Sequence, residues 1–208
     1  MRLLLLTLAL ALGSCGRQAN STLPFYNTAD FTPEWISTDH AAYTALHTIA
    51  PFSFTNQNGK TITQAALADK IYVASFFFTT CAGICPKMTR QMLKLQDAFK
   101  NDPNIVLLSH SVMPATDTVP VLNHYAQRNQ IQSGKWHLLT GPRDVIYRLA
   151  RTSYFADKDV ATAGPDDFLH TENFILVDKQ QRIRGVYNGT LPLDTKRLIE
   201  DILILKAE

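Results

Sequence analysis

An α/β chain built on a central mixed sheet is predicted by three observations. The run Ile71-Tyr72-Val73-Ala74-Ser75-Phe76-Phe77-Phe78 is apolar almost throughout, as expected of a strand buried on both faces. Strand-like and helix-like segments then alternate through about residue 151, which favours parallel strands joined by right-handed crossovers. Two further strands separated by a short polar turn, and then a helix, close the chain.

The elements follow in order. Met1-Arg2 precedes an apolar stretch from Leu3 to Leu12, and Leu12-Gly13-Ser14-Cys15 ends it on small residues and a cysteine. The stretch falls short of the roughly 20 apolar residues a membrane span needs. It resembles a bacterial lipoprotein signal, which implies cleavage after residue 14 and a diacylglycerol on Cys15. From Gly16 to about Pro51 periodicity is poor, and the segment reads as a tether followed by an extended arm. Phe52-Ser53-Phe54 and Thr61-Ile62-Thr63 flank Asn58-Gly59, the signal of an antiparallel hairpin. A short helix is expected from Gln64 to Ala68. After the long strand, Pro86 suits a first helical turn, and Met88, Met92, Leu95 and Phe99 recur at helical spacing. That spacing favours a core face over a metal-binding methionine pair. Ile105 to Leu108 reads as a strand, Val119 to Asn129 as a helix, Trp136 to Leu139 as a strand and Pro142 to Arg151 as a helix. Phe155 to Leu169 is a polar loop. Asn173 to Val177 and Arg182 to Tyr187 form the closing hairpin, and Leu193 to Lys206 the last helix. A mixed sheet with an N-terminal β-hairpin, flanking helices and a cysteine pair at a strand-to-helix junction describes a thioredoxin-like fold.

Composition narrows the function. About 190 residues beyond the signal, with 46% apolar content, suffice for one well-packed domain. A net charge of +2, without a Lys/Arg cluster interleaved with aromatics, argues against nucleic acid as a partner. The chain has three cysteines, and once Cys15 is assigned to the signal, Cys81 and Cys85 remain. In open α/β sheets chemistry gathers beyond the carboxyl ends of the strands, and the pair lies at such an end. Two soft sulfur ligands before a helix suit a thiophilic metal or a reversible disulfide, and a helix N-terminus favours thiolate. An export signal implies an oxidising compartment, so a structural Cys81–Cys85 staple is a third reading, although so short a loop gains little stability.

The histidines are weighed in the same way. Of six, His137 falls in a predicted core strand and His124 on a helix, while His170 ends the polar loop before a strand, where its imidazole could reach the cysteines. His110 and Met113 follow the strand ending at Leu108 and so are expected on the same edge as the cysteines, as an auxiliary metal contact or as loop packing.

The run Phe76-Phe77-Phe78-Thr79-Thr80-Cys81 to Cys85-Pro86-Lys87-Met88 resembles the Sco/SenC proteins. So do Leu23-Pro24-Phe25-Tyr26, Phe31-Thr32-Pro33-Glu34-Trp35, Leu139-Thr140-Gly141 and His170. The resemblance covers nearly all of the chain beyond the signal. It implies a membrane-tethered copper metallochaperone that helps assemble the dinuclear copper centre of cytochrome c oxidase subunit II, or serves another copper-site client. Copper, as Cu(I) with Cu(II) left open, would be bound by Cys81, Cys85 and His170. The implied organisation is a signal over 1–14, a lipidated tether and arm over 15–50, and a copper-binding domain over 51–208, with the lipid-anchored protein in the cell envelope and facing the periplasm or extracytoplasmic space. One departure stands out: the family pattern has Asp-Pro where this chain has Met113-Pro114, while Asp117 is retained. The alternative reading is a thiol-disulfide oxidoreductase, in which Cys81 and Cys85 are the redox pair that reduces a client's cysteines.

Overall fold

The computed structural model describes residues 22–156 and 171–208. Its centre is a seven-stranded mixed sheet of order β4-β3-β7-β6-β5-β8-β9. β1 (Phe25–Tyr26) and β2 (Pro33–Glu34) form a separate two-stranded ladder in the N-terminal arm. β3 (Ser53–Asn56) and β4 (Thr61–Thr63) are the expected hairpin, with Gly59 at φ 72° in its turn, a conformation glycine adopts at little cost. The short helix expected from Gln64 to Ala68 is present as a single 3-10 turn, Gln64–Leu67.

β5 (Ile71–Phe77), β6 (Ile105–Ser111) and β7 (Trp136–Thr140) run parallel, and α1 (Cys85–Ala98) and α2 (Val119–Arg128) are the crossovers between them. α3 (Arg143–Thr152) follows β7. β8 (Asn173–Val177) pairs antiparallel with β5, and β9 (Ile183–Asn188) pairs antiparallel with β8 before α4 (Pro192–Ala207) ends the fold. The hairpin joins this sheet through an antiparallel contact of β3 with β7. The fold is thioredoxin-like.

Every residue of β5 is buried, and the two-residue period of a strand divides its side chains between two cores. Ile71, Val73 and Phe77 join Met88, Met92, Leu95 and Phe99 of the α1 face, with Leu122 of α2 and Leu198, Ile202 and Leu205 of α4. Tyr72, Ala74 and Phe76 join Val106, Leu108, Ile146, Leu149 and Tyr154 on the other face. Met88 and Met92 are 3% and 1% exposed, which settles them as core; each such side chain contributes roughly 1.5–3 kcal/mol by burial.

A buried cation, Arg184, helps to hold the arm. Arg184 donates from Nη2 to the Leu23 carbonyl at 2.7 Å and from Nε to the Pro24 carbonyl at 3.1 Å. It also pairs with Asp178 at 3.3 Å and with Glu208 at 2.7 Å, while its guanidinium stacks 4.2 Å above the Phe25 ring. The tail of α4, the β8–β9 turn and the arm therefore meet at one end of the sheet, where β5 begins.

Candidate metal centre

At the other end of β5 the chain leaves the sheet at Phe77 and reaches α1 through Phe78 to Ile84. Pro86 occupies the first turn of α1, where a missing N–H costs nothing, and Cys85 is the first residue of the helix. Cys81 is half-buried and Cys85 is 5% exposed, packed in the core that contains Phe77, Met88 and Met92. Both are free thiols, hydrogen-bonded to each other.

The two sulfurs sit in different electrostatic settings. Burial pushes the Cys81 thiol up, but hydrogen bonds from Cys85 and from the backbone N–H groups of Cys85, Gly83 and Ile84 outweigh it, leaving Cys81 below an ordinary thiol. Those N–H groups are the unsatisfied donors of the α1 N-terminus, and they stabilise negative charge on the sulfur. Cys85 is pushed up to about 12 by burial first and then by its neighbour Cys81. One sulfur is thus accessible and readily ionised, while the other is enclosed and retains its proton. In the reduced protein at pH 8, iodoacetamide is expected to label Cys81 first, with Cys85 at least about tenfold slower, because thiolate and access together set the rate. Peptide mass spectrometry against time checks this, and equal rates would contradict the asymmetry.

A buried carboxylate holds the loop from behind. Asp117 is fully buried and accepts from the Thr79 backbone N–H at 3.2 Å to Oδ2, from the Thr79 hydroxyl at 2.5 Å to Oδ1, and from the Ser111 hydroxyl at 2.5 Å to Oδ2. Ser111 Oγ in turn accepts from the Met113 backbone N–H at 3.1 Å. Asp117 therefore fixes the residue two positions before Cys81 to the end of β6. The sequence retains Asp117 within the family pattern but gives no sign of this role.

Of the two readings open at His110 and Met113, an auxiliary copper contact or packing, the structure favours packing, although not in a loop for His110. β6 continues past Leu108 to Ser111, pairing Phe76 with His110 and Phe77 with Ser111, so His110 lies inside the sheet rather than on its edge. Its ring is fully buried among Phe52, Phe54, Phe76 and Tyr154, with centroids 5.3–5.8 Å away, on the face opposite Cys85. Met113 packs against that same core and lines a groove with Pro114, Arg143 and Tyr147. The other described histidines have local partners or lie on the surface. The exposed His40 caps a 3-10 turn by accepting from Ala42 N–H, His47 donates to the Ser153 carbonyl at 2.8 Å, His137 accepts from Asn56 at 3.2 Å, and His124 is exposed on α2. His170 and Cys15 lie outside the described residues. Among the described residues, no group of three or more His, Cys, Asp or Glu side chains surrounds one point. The thiol pair supplies two soft ligands at a helix N-terminus, a donor set that suits a thiophilic cation or a reversible disulfide.

A family model described as SCO1/SenC matches residues 40–205. The SCO1 protein homolog of Bacillus subtilis is 30% identical over 160 residues, covering 74% of this chain and 80% of its own length. The crystal structure of a SCO1/SenC family lipoprotein from Bacillus anthracis superposes with a TM-score of 0.67 at 30% identity, covering 78% of this chain and 96% of that one. ScoI of Arabidopsis thaliana with copper bound superposes with a TM-score of 0.59 at 26% identity, covering 74% and 97%. With a thioredoxin-like sheet and its cysteine pair at the first strand-to-helix junction, this chain belongs to the SCO1/SenC family.

Proposed function

We propose that this protein is a membrane-tethered copper metallochaperone, with copper as its cargo and Cys81, Cys85 and His170 as ligands. Its client would be the dinuclear copper centre of cytochrome c oxidase subunit II or another protein with a thiolate copper site. The observation that carries the reading is the convergence of two free, hydrogen-bonded thiols on a helix N-terminus, with Cys81 open to a partner and Cys85 enclosed. Two thiolates and one imidazole match the preference of Cu(I), whereas a structural zinc usually takes four protein ligands. The copper held by the Arabidopsis relative supports the choice of metal. The lipoprotein relative supports a lipid on Cys15 and a domain in the cell envelope, facing away from the cytoplasm.

The test is copper stoichiometry on the reduced domain lacking residues through Cys15. One tightly held copper per chain is expected in wild type. Cys81→Ala, Cys85→Ala and His170→Ala are each expected to weaken it by at least about tenfold, or about 1.4 kcal/mol. A fully reduced wild type that holds no copper tightly would overturn the reading.

The asymmetry of the thiols favours a second reading, reduction of a client disulfide. The Cys81 thiolate would attack one client sulfur, forming a mixed disulfide and releasing a client thiolate that takes up a proton. Cys85, losing its proton, would then attack the Cys81 sulfur and release the second client thiol. Two electrons pass to the client, and the protein is left with a Cys81–Cys85 disulfide. A His170→Ala protein that loses copper but keeps reductase activity would assign the histidine to metal alone.

A further inference from the structure

The chain enters the described domain at the end of the sheet opposite the cysteines. The Leu23 N–H donates to Glu208 Oε1 at 2.9 Å, tying the first residues of the arm to the last turn of α4. Thr22, Trp35, Ile71, Lys179, Leu205 and Glu208 line one cavity of about 640 Å³ there. Ile71 begins β5, and Cys81 follows its far end. At about 3.3 Å per residue, β5 alone puts roughly 20 Å between the two ends.

Trp35 stands at the mouth of this end, 58% exposed. A single exposed apolar side chain is ordinary and carries no weight alone. Its place beside the exit of the tether is what distinguishes it. Six residues, Gly16 to Ser21, separate Cys15 from Thr22, and seven extended steps reach at most about 25 Å. A lipid on Cys15 would therefore hold the Trp35 end within reach of the bilayer surface. Tryptophan is the side chain most at home at that boundary, with an apolar body for the acyl region and an N–H for the headgroups. Lys179 lies at the same end, in the β8–β9 turn, where its ammonium group can meet a lipid phosphate.

We propose that the end of the domain formed by Trp35, the β8–β9 turn and the tail of α4 rests on the lipid bilayer, with Trp35 inserted at its interface. The cysteine loop then faces away from the membrane at a height set by the length of the sheet. The client must present its own thiols at that height, roughly 20 Å or more above the surface. The proposal rests on lipidation of Cys15, but not on the identity of the metal.

The chain has two tryptophans, and the second serves as an internal reference: Trp136 is 2% exposed, inside the core on β7. The acylated protein beginning at Cys15 is reconstituted in phosphatidylcholine vesicles with plain or brominated acyl chains, and tryptophan emission is compared between wild type and Trp35→Tyr. The expected result is a blue shift on anchoring and loss of most of the Trp35 emission in brominated vesicles, absent from Trp35→Tyr. Protein that sediments with the vesicles but emits identically in plain and brominated lipid overturns the proposal while leaving the anchor intact. Protein that carries no acyl chain and stays in the supernatant overturns the anchor and this orientation together. Copper binding by the anchor-free domain is untouched in either case.

Discussion

Asp117→Ala is expected to destabilise the domain by about 3–5 kcal/mol and to loosen the cysteine loop. The carboxylate accepts from the backbone and hydroxyl of Thr79 and from the hydroxyl of Ser111, and its removal leaves these donors facing a buried space. Asp117→Asn should cost less, about 1–3 kcal/mol. Its remaining oxygen can still accept from Thr79, and the Ser111 hydroxyl can rotate to accept from the new amide, whereas the Thr79 backbone N–H cannot reverse its role. Urea unfolding is expected to rank wild type above Asn and Asn above Ala. A merely structural role would end there. A positioning role predicts in addition that the folded variants release copper faster and lose the preference of iodoacetamide for Cys81, because Thr79 sets where the loop starts. Variants that lose stability but keep wild-type copper release and labelling would confine Asp117 to the fold.

The cysteine pair and the scaffold that presents it were legible because their signals are local. The apolar run of β5 admits one reading, and Pro86 with Met88, Met92, Leu95 and Phe99 marks both the start and the buried face of α1. The end of β6 was not legible. Ser109, His110 and Ser111 look like the start of a loop, yet all three are buried in the strand. The serines are satisfied by side chains outside the strand: Ser109 bonds the Ser75 hydroxyl at 2.8 Å and accepts from Trp136 Nε1 at 2.9 Å, both remote in the chain, while Ser111 donates to Asp117 six residues on. No periodicity encodes such partners, so the pattern ends the strand at Leu108 and puts His110 on the sheet edge, whereas the structure buries it inside β6. The link from Asp117 to Thr79 spans 38 residues and was hidden for the same reason. The junction of β3 with β7 rests on two residue pairs, too few to leave a pattern.

His110→Phe is expected to remove a large part of the domain's acid sensitivity. In the folded protein both ring nitrogens of His110 are buried without a hydrogen-bond partner among the described residues, and the rings of Phe52, Phe54, Phe76 and Tyr154 pack around it. Burial alone lowers its pKa from 6.5 to about 3. The sign follows from linkage: the unfolded chain takes up a proton as pH falls through 6.5, while the folded chain resists until about 3. Stability is therefore undiminished above the unfolded value and is lost as pH drops across that window. At about 1.4 kcal/mol per pH unit, the loss approaches 5 kcal/mol at the acid end and is about 2.5 kcal/mol between pH 7 and pH 4.5. Phenylalanine fits the aromatic surroundings and carries no proton, so the variant should lose about 2.5 kcal/mol less than wild type over that interval. At pH 7 it should be at least as stable, since two unsatisfied polar atoms leave the core. Other groups with shifted pKa values, among them His137, Asp30 and Asp102, are common to both proteins and cancel in the difference. Urea unfolding of the two proteins at pH 7 and pH 4.5 measures it directly. Equal losses in both would mean that the buried imidazole finds a partner for its proton, and that the neutral ring inferred from this packing is wrong.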